Sequence, residues 1–148
     1  MQSQLLIEPR PRDDLGLVLL LDLALQELFI RYPASTSHPV HPDTSFLVAG
    51  AGGDAVGCIG LMPVVHGVGE IKRMYVRPEH RGRGVARRLI GSAEAVARHR
   101  GATALRLATG VRQPEAVSLY ESLGYRPIPA YGKYVDEPTA LCYAKPLP

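Results

Sequence analysis

The apolar positions of this chain fall into short runs broken by glycine and proline, with three stretches at helical spacing between them. "SQLLIEP" reads as a first strand, stopped by Pro9 and Pro11, and Asp13 or Asp14 is suited to cap a following helix. That helix, "LGLVLLLDLALQELFI" over residues 15–30, is apolar on most faces, so it is expected to be largely buried or else partly used in a homodimer. "RYPASTSHPVHPD" reads as irregular, and "SFLVAGAGGDAVGCIGLMPVV" is two apolar runs around Gly-Gly-Asp, a hairpin signature. "GEIKRMYV" is the next strand, paired with the previous one through His66-Gly67. A helix to about Arg100 follows, with Val85, Leu89, Ala93, Val96 and Ala97 at helical spacing and Gly101 closing it. "TALRLAT" is a strand, and "GVRQPEAVSLYESLGY" is a loop and a helix with Pro114 at its first position and Gly124 as its stop. "YRPIP" and "TALCYAKPL" are late strands around the loop "AYGKYVDEP". The order β-α-β-β-β-α-β-α-β-β predicts an α/β fold whose mixed sheet is antiparallel at its start and parallel at one crossover.

At 148 residues the chain is expected to form one domain, residues 1–148, with a real core. The net charge of +3, from 17 basic and 14 acidic residues, is too mild to argue for a nucleic-acid partner. Cys58 and Cys142 lie in apolar runs without CxxC spacing and read as reduced core residues. The apolar run at 15–30 falls short of the roughly 20 residues a membrane span needs and is interrupted by Asp22, Gln26 and Glu27. No secretory signal precedes it, so no membrane role is expected and a cytoplasmic location is the default.

Charge becomes informative locally, in "MYVRPEHRGRGVARRLIG" at residues 74–91. A helix start carries about half a positive charge and prefers Asp or Glu, yet Arg81, Arg83, Arg87 and Arg88 cluster here with Gly82 and Gly84 between them. The main-chain amides of Gly82, Arg83, Gly84, Val85 and Ala86 would form an anion site that glycine lets a ligand approach, and a pyrophosphate fits it. The plain alternative is a solvated basic helix start. The Walker pattern is absent, and "GAGGDAVG" is followed by a strand and does not match GxGxxG. A basic nucleic-acid-binding domain would show steep salt dependence, but the arginines fall in one turn with no aromatic platform. His38 and His41 form H-x-x-H, but Pro39 and Pro42 break any helix and no third ligand accompanies them, so no metal is expected. His80 beside the loop reads as solvated surface, and His99 lies at a helix end where a cation is mildly favoured.

"RGRGVA" matches Q/R-x-x-G-x-G/A at Arg81, Gly84 and Ala86, and "GEIKRMYVRPEHRGRGVARRLIG" and "LRLATGVRQPEAVSLYESLGYRPI" follow the same plan. In these segments, over roughly residues 44–145, the chain resembles the GNAT N-acetyltransferase superfamily; the first forty residues match only in order of elements. The resemblance implies a GNAT fold in which the strand before the loop is bulged and splays from the next strand. Pantetheine of acetyl-CoA, the cosubstrate, would lie in the resulting V. It assigns Met74, Tyr75 and Val76 as main-chain partners, with the Met74 amide holding the thioester oxygen as it becomes an oxyanion.

Acetyl transfer to an amine poses two proton problems. A lysine-like amine, pKa about 10.4, is neutral only about once in 2,500 at pH 7, a cost of roughly 4.6 kcal/mol, so a base or water chain must take its proton. Glu70 aligns with the glutamate that serves as base in several relatives; pairing with Lys72 or Arg73 is the structural alternative. Tyr120, in "SLYESLGY", matches the tyrosine that protonates the departing thiolate in many relatives, although it shares a helical face with Ala116, Val117 and Leu123 and would serve equally as core. Many relatives carry Asn where this chain has Gln113, which could bond pantetheine or cap the helix; Thr109 is another candidate cap. Tyr131 and Tyr134 are candidates for substrate contact, on a loop where relatives close the acceptor site. With no cysteine in the motif segments, direct transfer in a ternary complex to a small-molecule or peptide amine is expected. The alternative is an acyl-CoA-binding sensor or regulatory module without turnover.

Overall fold

In the computed structural model, which describes residues 4–33 and 40–148, the elements follow the expected order. They are β1 (Leu5–Arg10), α1 (Leu15–Arg31), β2 (Ser45–Ala51), β3 (Asp54–Leu61), β4 (Val68–Val76), α2 (Val85–His99), β5 (Ala104–Gly110), α3 (Pro114–Ser122), β6 (Arg126–Ile128) and β7 (Ala140–Pro146). Short 3₁₀ turns occupy Pro78–His80 and Gly132–Asp136. Two tight turns fold the first half. Gly52 and Gly53, with φ of 59° and 90°, join β2 to β3 in the conformation that favours glycine. His66 and Gly67, at 52° and 77°, turn the chain into β4, and Val65 and Val68 exchange both main-chain hydrogen bonds at 3.0 Å around them.

The seven strands form one sheet in the order β1-β2-β3-β4-β5-β7-β6, parallel only at β4–β5. Pro9 does not stop β1 as expected; it pairs opposite Leu47. The strand lies at the sheet edge, where a residue without an N–H costs little. Alternation along β2 sends Phe46 and Val48 into a cluster with Leu17 and Leu20 of α1, and Leu47 and Ala49 into one with Val85, Leu89 and Ala93 of α2. The two helices therefore cover opposite faces. Asp14 is the residue that caps α1, accepting from the Leu17 amide at 2.9 Å.

The expectation that α1 is largely buried fails. Only Leu17 and Leu20 are fully covered, while Leu15 and Ile30 are 85% and 79% exposed, because a single helix has one stripe to offer one sheet. Among the described residues no helix is long and apolar enough to cross a membrane.

Candidate active site

β4 leaves β5 almost as soon as it meets it. The parallel pairing comprises Val68–Ala104, Gly69–Leu105 and Glu70–Arg106, after which β5 continues along β7 to Gly110 while β4 stays with β3. On the β3 side the register slips, so Arg73 and Met74 together oppose Ile59, and Arg73 takes a φ of 54°, rare outside glycine. The bulge and the early parting open a wedge between β4 and β5. A cleft of about 630 Å³ fills it, with α1 and the 132–136 turn over its rim.

Main-chain direction decides which groups face that cleft. The Arg77 amide donates to the Val56 carbonyl at 2.9 Å, so Arg77, and Tyr75 two residues earlier, direct their main chain at β3. Met74 and Val76, on the alternate positions, direct theirs away from β3; Met74 lines the cleft, while the Val76 carbonyl accepts from Arg81 Nε. Of the three expected main-chain partners, Tyr75 is therefore the one whose amide is committed elsewhere; its ring packs with Leu17 and Leu20 under α1.

At the mouth of the wedge α2 begins at Val85, preceded by Gly82 and Gly84 with φ of 76° and 81°. A Cβ added to either would meet nothing within 4 Å, so these glycines answer to the turn's conformation and leave open space above it. The arginines divide. Arg81 turns inward: its Nε donates to the Val76 carbonyl at 2.8 Å, its Nη2 pairs with Glu27 at 2.9 Å, and its guanidinium lies over the Tyr75 ring. A carboxylate of α1 and the carbonyl at the end of β4 thus share its guanidinium. Arg87 donates to the Ser122 hydroxyl and Arg88 to the Leu5 carbonyl. Arg83 is exposed and makes no hydrogen bond or ion pair among the described residues. An open glycine turn, a helix N-terminus and one uncommitted guanidinium suit a diphosphate, and the wedge behind them suits a narrow arm; the residues present fit acetyl-CoA.

Glu70 lies where β4 and β5 part, and it is buried. Its carboxylate holds Lys72 Nζ at 2.8 Å and Arg106 Nε at 3.2 Å; Arg73, the other expected partner, is not among these ion pairs. Lys72 also donates to the Tyr134 hydroxyl. Burial pulls the Lys72 ammonium downward, but its bonds to Glu70 and Tyr134 outweigh that and hold it above the ordinary lysine value. Arg106 lies 3.9 Å from the centre of the Tyr131 ring, which meets Tyr134 edge to face at 5.4 Å. The Tyr131 hydroxyl is buried with no hydrogen-bond partner among the described residues, and burial pushes its phenol well up. The two tyrosines expected to contact substrate thus line the same cleft as Glu70. Lys72 was named only as a partner for Glu70, and Arg106 was missed. The first carries a readable signal, since residues 70 and 72 share one face of a strand; the second needs the β4–β5 register.

Tyr120 lines the cleft from α3 and is 5% exposed, its ring edge-on to Tyr125 at 5.8 Å. Burial alone pushes its phenol well above the ordinary tyrosine value. Gln113 also lines the cleft, but its side chain does not cap α3; its Oε1 accepts from the Thr109 hydroxyl at 3.4 Å, so neither caps. His41 accepts from the Asp43 amide, and His38 lies outside the described residues. Cys58 and Cys142 are free and buried, and burial pushes the Cys58 thiol up to about 12.

A sheet splayed beside its one parallel strand pair, with a glycine-started helix at the mouth of the gap, is the architecture of an acyl-transfer fold that takes a diphosphate-tailed donor. The chain belongs to the Acetyltransferase (GNAT) family, whose sequence profile matches residues 17–125, and is an acyltransferase. It is 39% identical to an IAA acetyltransferase of Azospirillum brasilense over 78% of this chain and 80% of that protein. It is 36% identical to N-acetyltransferase 8 of Rattus norvegicus over 56% of this chain, but spans only 40% of that longer protein. A crystal structure from Klebsiella pneumoniae, assigned as an acyl-CoA N-acyltransferase, superimposes with a TM-score of 0.84 at 32% identity, covering 97% of this chain and 98% of the other. A GNAT acetyltransferase from Elizabethkingia anophelis with acetyl-CoA bound shares the fold at a TM-score of 0.73 and 20% identity, over 97% and 98% of the two chains.

Proposed function

We propose that the protein moves an acetyl group from acetyl-CoA to a primary amine by direct transfer in a ternary complex. The observation that carries this is the wedge: Met74 lines a cleft that Tyr120 and Glu70 also line. The Gly82–Ala86 turn, with Arg83 beside it, receives the diphosphate, and Gln113 lines the cleft that receives the arm. The Met74 amide donates to the thioester oxygen as charge builds on it, a contribution of about 10²–10³ in rate where such donors have been removed.

Glu70 takes the amine proton. Its carboxylate is already shared between Lys72 and Arg106, which favours a relay through water over direct contact. Tyr120 returns a proton to the departing thiolate. Its raised phenol would be a poor match for a thiol near 8.5 in water, but burial raises a thiol too, as it does for Cys58 in the core under α1, so a donor and an acceptor buried together move in one direction.

The test is release of free CoA from acetyl-CoA across a panel of amines. Amine-dependent release supports the reading; tight CoA binding without release on any amine favours a sensor module instead. A homodimer through the exposed apolar side of α1 is part of the same proposal: sedimentation equilibrium should give about twice the 16.0 kDa of one chain, and the monomer mass would contradict it.

A further inference from the structure

The 132–136 turn overhangs the cleft yet puts nothing into the core. None of its five residues is buried, and neither Tyr131 nor Tyr134 belongs to the apolar cluster on either face of the sheet. The Tyr134 amide donates to the Tyr131 carbonyl at 3.0 Å and the Glu137 amide to the Tyr134 carbonyl at 3.1 Å, bonds that shape the turn without placing it against the sheet. A short turn with exposed main chain and no apolar anchor opens readily unless side chains hold it. Two lines of side chains do so, and both lead back to Glu70. One Glu70 oxygen holds Lys72 Nζ at 2.8 Å, and Lys72 donates onward to the Tyr134 hydroxyl. The other holds Arg106 Nε at 3.2 Å, and the Arg106 guanidinium lies 3.9 Å from the Tyr131 ring centre. The two rings meet edge to face at 5.4 Å, which closes the circle. Ion pairs on an open surface hold little, but the carboxylate at the centre of this one is only 10% exposed, so losing either cation from it is costly.

We propose that Lys72 and Arg106 are positioning residues: anchored on Glu70, they fix Tyr131 and Tyr134 as one wall of the amine site. Glu70 thereby carries a second task beside the proton transfer proposed above. The wall's effect on the amine rests on that acetylation reading, whereas the tether of the turn stands on contacts within the protein.

Two variants cut the two lines separately. Arg106→Met keeps the aliphatic stem and removes the charge; Tyr134→Phe keeps the ring and removes the hydroxyl. Glu70 keeps Lys72 in both, so the proton acceptor stays in place. Amide hydrogen exchange over residues 131–140 of the full chain, read by mass spectrometry, should speed up by about fivefold or more in each variant, with α2 and α3 unchanged. In the CoA-release assay the KM of the best amine should rise by about tenfold while kcat changes less and the KM of acetyl-CoA holds. Arg106→Lys, which keeps a cation between Glu70 and the Tyr131 ring, should recover most of both effects. Thermal melts confirm that the variants fold. Exchange at the original rate in both variants overturns the inference and leaves amine acetylation standing. Faster exchange with an unmoved amine KM overturns the turn's part in amine binding. No turnover of any amine by the unaltered protein overturns the acetylation reading and the amine wall with it, while the exchange rates still decide whether the turn is tethered.

Discussion

Tyr120 is buried against Tyr125 at the wall of the cleft, and burial keeps its hydroxyl protonated. The sequence offered two roles for it, core and acid; its ring belongs to the α2-side core, and the residue also lines the cleft. Turnover separates them. Tyr120→Phe keeps the ring and its packing, so acetyl-CoA affinity should stay nearly unchanged while kcat falls by about tenfold or more. Full turnover in that variant would remove Tyr120 from the mechanism. Glu70 was legible as an acidic residue on its strand, and so was its pairing with Lys72 two positions away; Arg106 was not, because a parallel register that no local pattern encodes brings it there.

At the scale of elements, reading the chain succeeded where punctuation is local. Gly-Gly-Asp, His66-Gly67, Gly101 and Gly124 all lie at the turns or helix ends their chemistry demands, with Gly101 and Gly124 at φ of 87° and 94°. It failed where partners are distant. Glu94 lies on the buried face of α2, unremarkable in sequence, yet accepts from the Tyr125 hydroxyl at 2.8 Å and from Lys145 at 3.0 Å. Arg81 pairs with Glu27 on α1, 54 positions away in sequence, a partner no local pattern encodes.

The turn before α2 gives a prediction at this scale. Gly84 needs its left-handed conformation, and no protein atom would hold a side chain there. Alanine would let the free turn relax, and regaining the binding shape would cost about 1–2 kcal/mol, or roughly 5–30-fold in CoA affinity. Unchanged affinity in Gly84→Ala, measured by calorimetry, would mean that this turn is not the anion cradle.

The whole molecule buries several groups that must stay protonated. Burial pushes Tyr120, Tyr125 and Tyr131 well up and takes Cys58 to about 12. Each has a folded pKa above its unfolded one, so the folded state holds protons the unfolded chain releases. Their contribution is complete below the unfolded values and is lost as pH rises. Thermal melts should therefore show Tm steady near pH 8 and falling progressively above about pH 9 to 10. A Tm that holds or rises to about pH 11 would contradict the burial of these groups.

The account depends on the main-chain amides between residues 82 and 86 gripping the donor's diphosphate while its arm enters the wedge. Calorimetric titration of the protein with CoA, and in parallel with pantetheine, which has the arm and the thiol but no diphosphate, tests this most directly. CoA should bind with clear heat and pantetheine should bind weaker by roughly tenfold or more, since the charge-assisted contacts at the helix start are lost. Equal affinity for the two, or no heat with CoA at all, would contradict it.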